Sequence, residues 1–173
     1  HAERALGHHE VIAEDLGYVT DSVRRLVRES GFPGMKVLEF AFDSRGSDET
    51  SDYLPHNYPE NCVAYTGTHD NETLDQKTPQ KELYRALIAL VLRSAARLCV
   101  IPVQDYMGLN NHSRMNKPST VGTNWLWRLE KADLTPELQR EILRAAVLYG
   151  RAECPRTKPV PDGMGNVRGI AGI

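Results

Sequence analysis

Two short polar clusters carry the residue types that covalent chemistry needs. Glu14 lies in Ile12-Ala13-Glu14-Asp15-Leu16-Gly17, and Asp70 lies in Thr66-Gly67-Thr68-His69-Asp70-Asn71-Glu72-Thr73. Each cluster follows an apolar run. Two carboxylates converging on one cleft suit glycosidic chemistry: one protonates a leaving oxygen, another stabilises a developing oxocarbenium ion, and separate environments give them different proton affinities. Acidic residues after strands also cap helices or hold structural hydrogen bonds, so spacing alone leaves both readings open. Asp105 has the same two readings, lining a cleft or capping a turn. His8-His9 with His1 is the one histidine grouping near a chain edge, but no acidic or cysteine ligand recurs at metal spacing, and no metal is expected. Cys62, Cys99 and Cys154 are odd in number, widely separated and without C-x-x-C spacing. Neither a disulfide framework nor a zinc knuckle follows, and a reducing cytoplasm is the expected location.

The elements that must position these residues alternate in type. Val11-Ile12-Ala13 reads as a buried parallel strand ending in a loop. A helix capped by Thr20 or Asp21 follows, with Val23, Leu26, Val27 and Ser30 at i, i+3, i+4 and i+7, and it ends at Gly31 and Pro33. Met35 to Phe42 reads as a second strand, and Cys62-Val63-Ala64-Tyr65 as a third that runs into the His69-Asp70 turn. From Glu82 to Leu98, the residues Leu83, Ala86, Leu87, Leu90, Val91, Ala95 and Leu98 trace one helical stripe, and the arginines off it form a solvated face. Cys99 to Val103 reads as a fourth strand. The last helix starts at Thr135-Pro136-Glu137, an N-cap threonine before a first-turn proline, and runs to Tyr149 ahead of Gly150. From Cys154 onward three prolines and four glycines accumulate, and residues 151–173 are expected to form a disordered tail. Strands alternating with helices predict an α/β fold with a parallel sheet, whose chemistry sits in the loops after the strands.

Composition narrows the partners. With Lys plus Arg at 21 and Asp plus Glu at 23, the formal charge is −2, which lacks the basic excess of nucleic-acid modules. The longest apolar run, Ala86 to Leu92, has 7 residues, against about 20 for a membrane span. Neither nucleic acid nor membrane is an expected partner. The start, His1-Ala2-Glu3-Arg4, has neither an initiator Met nor a secretory pattern, so the 173 residues read as cut from something longer.

Several long blocks, in order, resemble the 4-α-glucanotransferases, also called amylomaltases or disproportionating enzymes. They are Val11 to Gly17, Gly31 to Phe42, Leu54-Pro55-His56-Asn57-Tyr58, Tyr65 to Thr73, Arg97 to Asp105, Arg114-Met115-Asn116, and Asn124-Trp125-Leu126-Trp127-Arg128. The resemblance covers roughly residues 11–150. It implies a (β/α)8 TIM barrel of the α-amylase type that cuts an α-1,4-glucan or maltooligosaccharide donor. The glucosyl segment then passes to glucose or another maltooligosaccharide, with retention through a glycosyl-aspartyl intermediate and no cofactor. The resemblance gives the acid/base role to Glu14 and transition-state stabilisation to Asp70. His69 becomes the sugar-contacting neighbour, and Asn124 a sugar contact from the Asn-Trp loop. Trp125 can stack on a sugar ring, since a pyranose face packs against an aromatic face; Trp127 reads as barrel-edge core.

The family's nucleophilic aspartate sits in an Arg-Ile-Asp-His-type block upstream of the Glu-Asp-Leu-Gly block, and only ten residues precede Val11. A complete barrel takes about 250 residues, so the sequence is expected to supply about four βα units, the C-terminal half. On this reading residues 1–10 are the edge of the fragment, 11–150 the half-barrel and 151–173 the tail. Only Leu74 to Lys81 separate the His-Asp-Asn-Glu-Thr block from the next helix, fewer than the family normally has. Taken alone, such a half is expected to be inactive for want of the nucleophile and to self-associate through open barrel edges. The alternative is a catalytically silent half-barrel that serves as a weak glucan-binding or assembly module.

Overall fold

The computed structural model describes residues 4–5, 7, 9–17, 19–42, 51–77 and 83–153. The paired histidine His8, together with His1, and the expected tail beyond Glu153 lie outside the described residues. The helix α1 (Asp21–Ser30) starts as its sequence dictates. Thr20 is extended and its hydroxyl accepts from the Val23 amide, and Asp21 puts a negative charge in the first turn. It ends at Gly31, φ +72. Its apolar stripe, however, is uncovered: no residue of α1 is buried, and Leu26 is 65% exposed.

A parallel sheet follows in the order β1 (Gly34–Val37), β2 (Cys62–Tyr65), β3 (Leu98–Val100). Gly34 pairs with Cys62 and Val37 with Tyr65, then Val63 with Leu98 and Tyr65 with Val100. The central strand β2 is flanked on both sides and Cys62, Val63 and Ala64 are buried. A β-branched and apolar run is what such a position requires.

Three expectations of strand length are corrected. Val11-Ile12-Ala13 does not form a strand; it contributes one parallel bridge, Ala13 to Gly34, and Val11 and Ile12 stay 40% and 44% exposed. The Ala13 amide donates to the Pro33 carbonyl, but the next amide of β1, on Met35, donates to the Asp15 carboxylate at 2.7 Å. A side chain therefore occupies the place of the next main-chain rung. The second strand stops at Val37, and Leu38–Phe42 coils into a 3-10 segment whose Glu39 amide donates to the Thr66 carbonyl. The fourth expected strand stops at Val100 because Pro102, with no N–H, cannot extend a ladder. The chain instead turns into the short helix α4 (Val103–Tyr106). Between β1 and β2 no α-helix occurs among the described residues, so the expected strictly alternating order holds only in part.

Beyond β2, a single turn, α2 (Leu74–Lys77), precedes α3 (Leu83–Arg93), and α5 (Pro136–Leu148) closes the described chain. The buried face of α3 is Leu87, Ile88, Val91 and Leu92, whereas Leu83, Ala86 and Leu90 are exposed. This differs from the expected stripe by about one residue. The uninterrupted run Ala86 to Leu92 offers no polar position to select a face, and packing against β2 and α5 makes the selection. Leu38, Leu74, Ala64, Tyr58 and the α3 face form one core cluster, with Ala145 of α5 and Tyr149, which caps that helix, at its rim. No helix among the described residues is long and apolar enough to cross a membrane.

Candidate active site

The site is built on the turn that leaves the buried central strand. Thr66 follows β2, is fully buried, and donates its hydroxyl to Asp105 Oδ2 at 2.6 Å. The other oxygen, Asp105 Oδ1, accepts from the Leu74 amide at 2.9 Å. One carboxylate thus holds both ends of the 66–74 turn. Burial pushes the Asp105 carboxyl up, and the bonds from Leu74 and Thr66 pull the other way. Asp105 therefore does both things its sequence left open: it borders the cleft and ties a turn. It does so from α4, not from the end of a strand. Within the turn, Asn71 Oδ1 accepts from the amide and hydroxyl of Thr68 at 2.8 and 2.7 Å. The Thr73 amide donates to Asn111 Oδ1 at 3.1 Å.

His69 and Asp70 stand at the crest of this turn. Their side chains are 55% and 48% exposed, and His69 Nε2 lies 3.3 Å from Asp70 Oδ1. A second segment, residues 111–128, grips them from outside. Asn116 Nδ2 donates to Asp70 Oδ1 at 2.6 Å, and the Asn116 amide donates to the His69 carbonyl at 3.0 Å. Arg114 donates to the Asp70 carbonyl and, through Nε, to the Asn116 carbonyl at 2.8 Å. Trp125 lays its ring against His69, with centroids 5.0 Å apart. Trp125 has φ +66 and its amide donates to the Met115 carbonyl at 2.6 Å. A bulky residue held in the left-handed region marks a strained position of the kind found at functional sites. A cleft of about 200 Å³ opens on the His69 side of the turn, between Gly67 to His69 and Asn71 to Thr73 on one side and Asp105, Arg114 and Met115 on the other; Asp70 is not part of its lining.

Behind the turn lies Glu39, 2% exposed, with no hydrogen-bond partner for Oε1 among the described residues. A Cβ on Gly67 would stand 2.7 Å from that oxygen, so only glycine lets the turn and the acid approach this closely. Burial above all, with the charges of Asp105 and Glu72, pushes the Glu39 carboxyl up to about 8, against the opposing pull of Lys77 and Arg114. Sequence reasoning assigned no role to Glu39, Arg114 or Asn116. A lone acid inside the apolar run Met35 to Phe42 was the available signal for the first. Arg114 and Asn116 lie in one of the blocks that carry the family resemblance, but nothing local gave them a role, because they act 44 and 46 residues from Asp70.

Glu14 sits one residue past the Ala13 bridge, and both its neighbours are tied to β1, Ala13 through Pro33 and Asp15 through Met35. Its own carboxyl is exposed. Asn124 turns its amide inward on its own loop, accepting from the Lys117 amide and donating to the Thr120 and Lys117 carbonyls. His69 therefore meets both Asp70 and Trp125, whereas among the described residues no hydrogen bond or ion pair joins the side chain of Glu14 or of Asn124 to any of the three. Among the described residues no group of three or more His, Cys, Asp and Glu side chains forms a metal site.

Comparison with known proteins shows the family of the chain. The family model of the 4-alpha-glucanotransferases matches residues 1–76 and 74–135. A 4-alpha-glucanotransferase of Clostridium butyricum is 41% identical over 167 residues, covering 86% of this chain and 34% of that protein. The chloroplastic/amyloplastic 4-alpha-glucanotransferase of Solanum tuberosum is 40% identical, over 86% of this chain and 29% of the other. Among solved structures, an amylomaltase from Streptococcus agalactiae in complex with acarbose superposes with a TM-score of 0.77 at 34% identity. That superposition covers 87% of this chain and 34% of that one. An amylomaltase from Corynebacterium glutamicum, 18% identical with a TM-score of 0.59, shares the fold. The chain spans about a third of the length of the relatives it matches.

Proposed function

We propose, from the premise that this chain belongs to the 4-alpha-glucanotransferase family, that it supplies the acid/base and transition-state-stabilising side of a retaining α-1,4-glucan transferase. Asp70 is the observation that carries the reading: a half-exposed carboxylate at the crest of a turn fixed to a buried parallel strand, beside a histidine and an aromatic ring. In the proposed reaction Glu14 gives its proton to the leaving O4 as the C1–O4 bond breaks. A carboxylate from a segment outside this sequence forms an ester to C1. Glu14, now ionised, takes the proton of an acceptor 4-hydroxyl, whose oxygen displaces that ester and returns C1 to its original configuration. Asp70 accepts hydrogen bonds from ring hydroxyls and holds them more tightly as the ring flattens. Trp125 offers an apolar face to the sugar, His69 a hydrogen bond, and Asn124 shapes or contacts the sugar from the loop it closes.

The same premise extends to architecture and setting. The three parallel strands and the Ala13 bridge are read as the C-terminal half of a (β/α)8 barrel, with donor and acceptor both maltooligosaccharides and a cytoplasmic location. The relatives' greater length supports a nucleophile elsewhere. The test is disproportionation of maltotriose by this chain joined in frame to the preceding part of the Clostridium butyricum relative. That chimera releases glucose, the chain alone does not, and Glu14→Gln in the chimera lowers turnover by about 10²- to 10⁴-fold. Near-normal turnover of Glu14→Gln would remove the acid/base assignment. Glucan binding by a chain that never completes an active chimera would favour a catalytically silent binding module instead.

A further inference from the structure

We propose that Asn116 is a positioning residue for Asp70, aiming one carboxylate oxygen at protein so that the other is left for the sugar, with Arg114 holding the main chain of both. The inference rests on the role given to Asp70 above. Among the described residues the contacts to the Asp70 carboxylate fall on one oxygen: Asn116 Nδ2 at 2.6 Å and His69 Nε2 at 3.3 Å both meet Oδ1. An ionised carboxylate only accepts, so the group facing it must donate, and an amide nitrogen does so without adding a charge. Asn116 also fixes the backbone beneath the site, because its own amide donates to the His69 carbonyl. Arg114 bridges the Asp70 and Asn116 carbonyls and comes within 4.0 Å of Glu72 Oε1. The Glu72 carboxylate in turn accepts from Asn111 Nδ2 at 3.0 Å and lies 3.5 Å from Lys77 Nζ. The clamp is therefore a neutral donor on the reacting side, with the Glu72 carboxylate set between the two cations Arg114 and Lys77 behind it.

Such an arrangement acts on the transition state more than on the bound ground state. A freely rotating Asp70 could still hold a ground-state sugar, but the bond that strengthens as the ring flattens needs Oδ2 already in place. In the full-length transferase carrying this chain, Asn116→Ala is expected to lower kcat about 10- to 100-fold, the range for losing a hydrogen bond to a charged group, with KM changed by less than about threefold. Asn116→Asp keeps the shape but sets a second carboxylate against Asp70, and the acid limb of the kcat profile should rise by about one pH unit. His69, Arg114 and Glu72 are the other titratable or charged groups at this point, and all are retained in that variant. The deciding measurement is a double-mutant cycle of Asn116→Ala with Asp70→Asn. If Asn116 works through Asp70, its loss costs at most about twofold once Asp70 is already Asn. An equal loss in both backgrounds would assign Asn116 a merely structural role and overturn the inference, as would wild-type kcat in Asn116→Ala, in each case with the Asp70 reading intact. Near-normal turnover of Asp70→Asn overturns both. Should Asn116→Ala fail to fold, an unshifted acid limb in Asn116→Asp is sufficient to reject the proposal.

Discussion

Burial pushes the Glu39 carboxyl up to about 8 from an ordinary 4.5, and the sign of the consequence follows directly. The folded chain keeps that proton up to about pH 8, while the unfolded chain releases it near 4.5. Across that window the folded state binds more protons, so stability is greatest below 4.5 and falls as pH rises, levelling off above 8. The loss is on the order of a few kcal/mol. Thermal unfolding between pH 4.5 and 8.5 should show the decline in the wild type and a clearly shallower one in Glu39→Gln, which is uncharged throughout, while Asp105 keeps its own share. Equal slopes in the two proteins would mean that Glu39 is ionised in the folded state. Gly67 has its own reason in this pair: the main chain can pass the acid at that distance only without a Cβ.

The 66–74 turn owes its form to another element, not to its own sequence alone. Asp105 of α4 receives the Thr66 hydroxyl and the Leu74 amide and is 2% exposed. Asp105→Ala removes the acceptor of the Thr66 hydroxyl and one acceptor of Leu74 in a buried place, and should lower stability by about 1–3 kcal/mol. More telling than the size is the location: amide exchange should quicken at Leu74 and through residues 67–73 while α5 is unchanged. Uniform quickening over the whole chain would show that Asp105 supports the fold at large and not the turn. At the far end of α3, Arg151 plays a similar part, donating to the Leu92, Ser94 and Ala96 carbonyls, the acceptors left over where that helix stops.

Across the whole molecule, apolar surface is left without cover in a consistent pattern. Leu26 on α1, Leu98 and Val100 on β3, and Leu148 on α5 are 65%, 49%, 39% and 75% exposed. Among the described residues the sheet is bounded on one side by the single Ala13 bridge and on the other by β3, which pairs on one edge only. Unpaired strand edges with apolar side chains recruit further strands. The isolated chain is therefore expected to elute from size exclusion, with light scattering, as a dimer or larger species at tens of micromolar. Joining it to the preceding part of a relative should return it to one copy per particle. A chain that stays monomeric at that concentration would show that these faces do not attract a partner.

How far the residues alone led differs by element, and the differences have physical causes. The helices α1 and α5 were legible at their starts because Thr20 and Thr135 bond to amides three residues on, a local interaction that any neighbourhood preserves. β2 was legible from end to end because a fully buried strand needs an unbroken β-favouring run. The blocks that resemble the 4-α-glucanotransferases identified the family, and the family model confirms that assignment. Strand ends were not legible: β1 gives way to a 3-10 segment at Leu38 although the Glu39 amide still bonds to Thr66 in register, and beside the Ala13 bridge it is the Asp15 side chain that takes the Met35 amide. The buried face of α3 was not legible either, since a run of seven apolar residues has no polar side to turn outward. The local clusters of the candidate site could be read in sequence, but the clamp could not. Asn116, Arg114 and Asp105 reach Asp70 and Thr66 from 39 to 46 residues away. Local chemistry thus named Asp70 and the family resemblance added His69, and only the tertiary fold decided what holds them, because hydrogen bonds across that much chain depend on where the strands and loops come to rest.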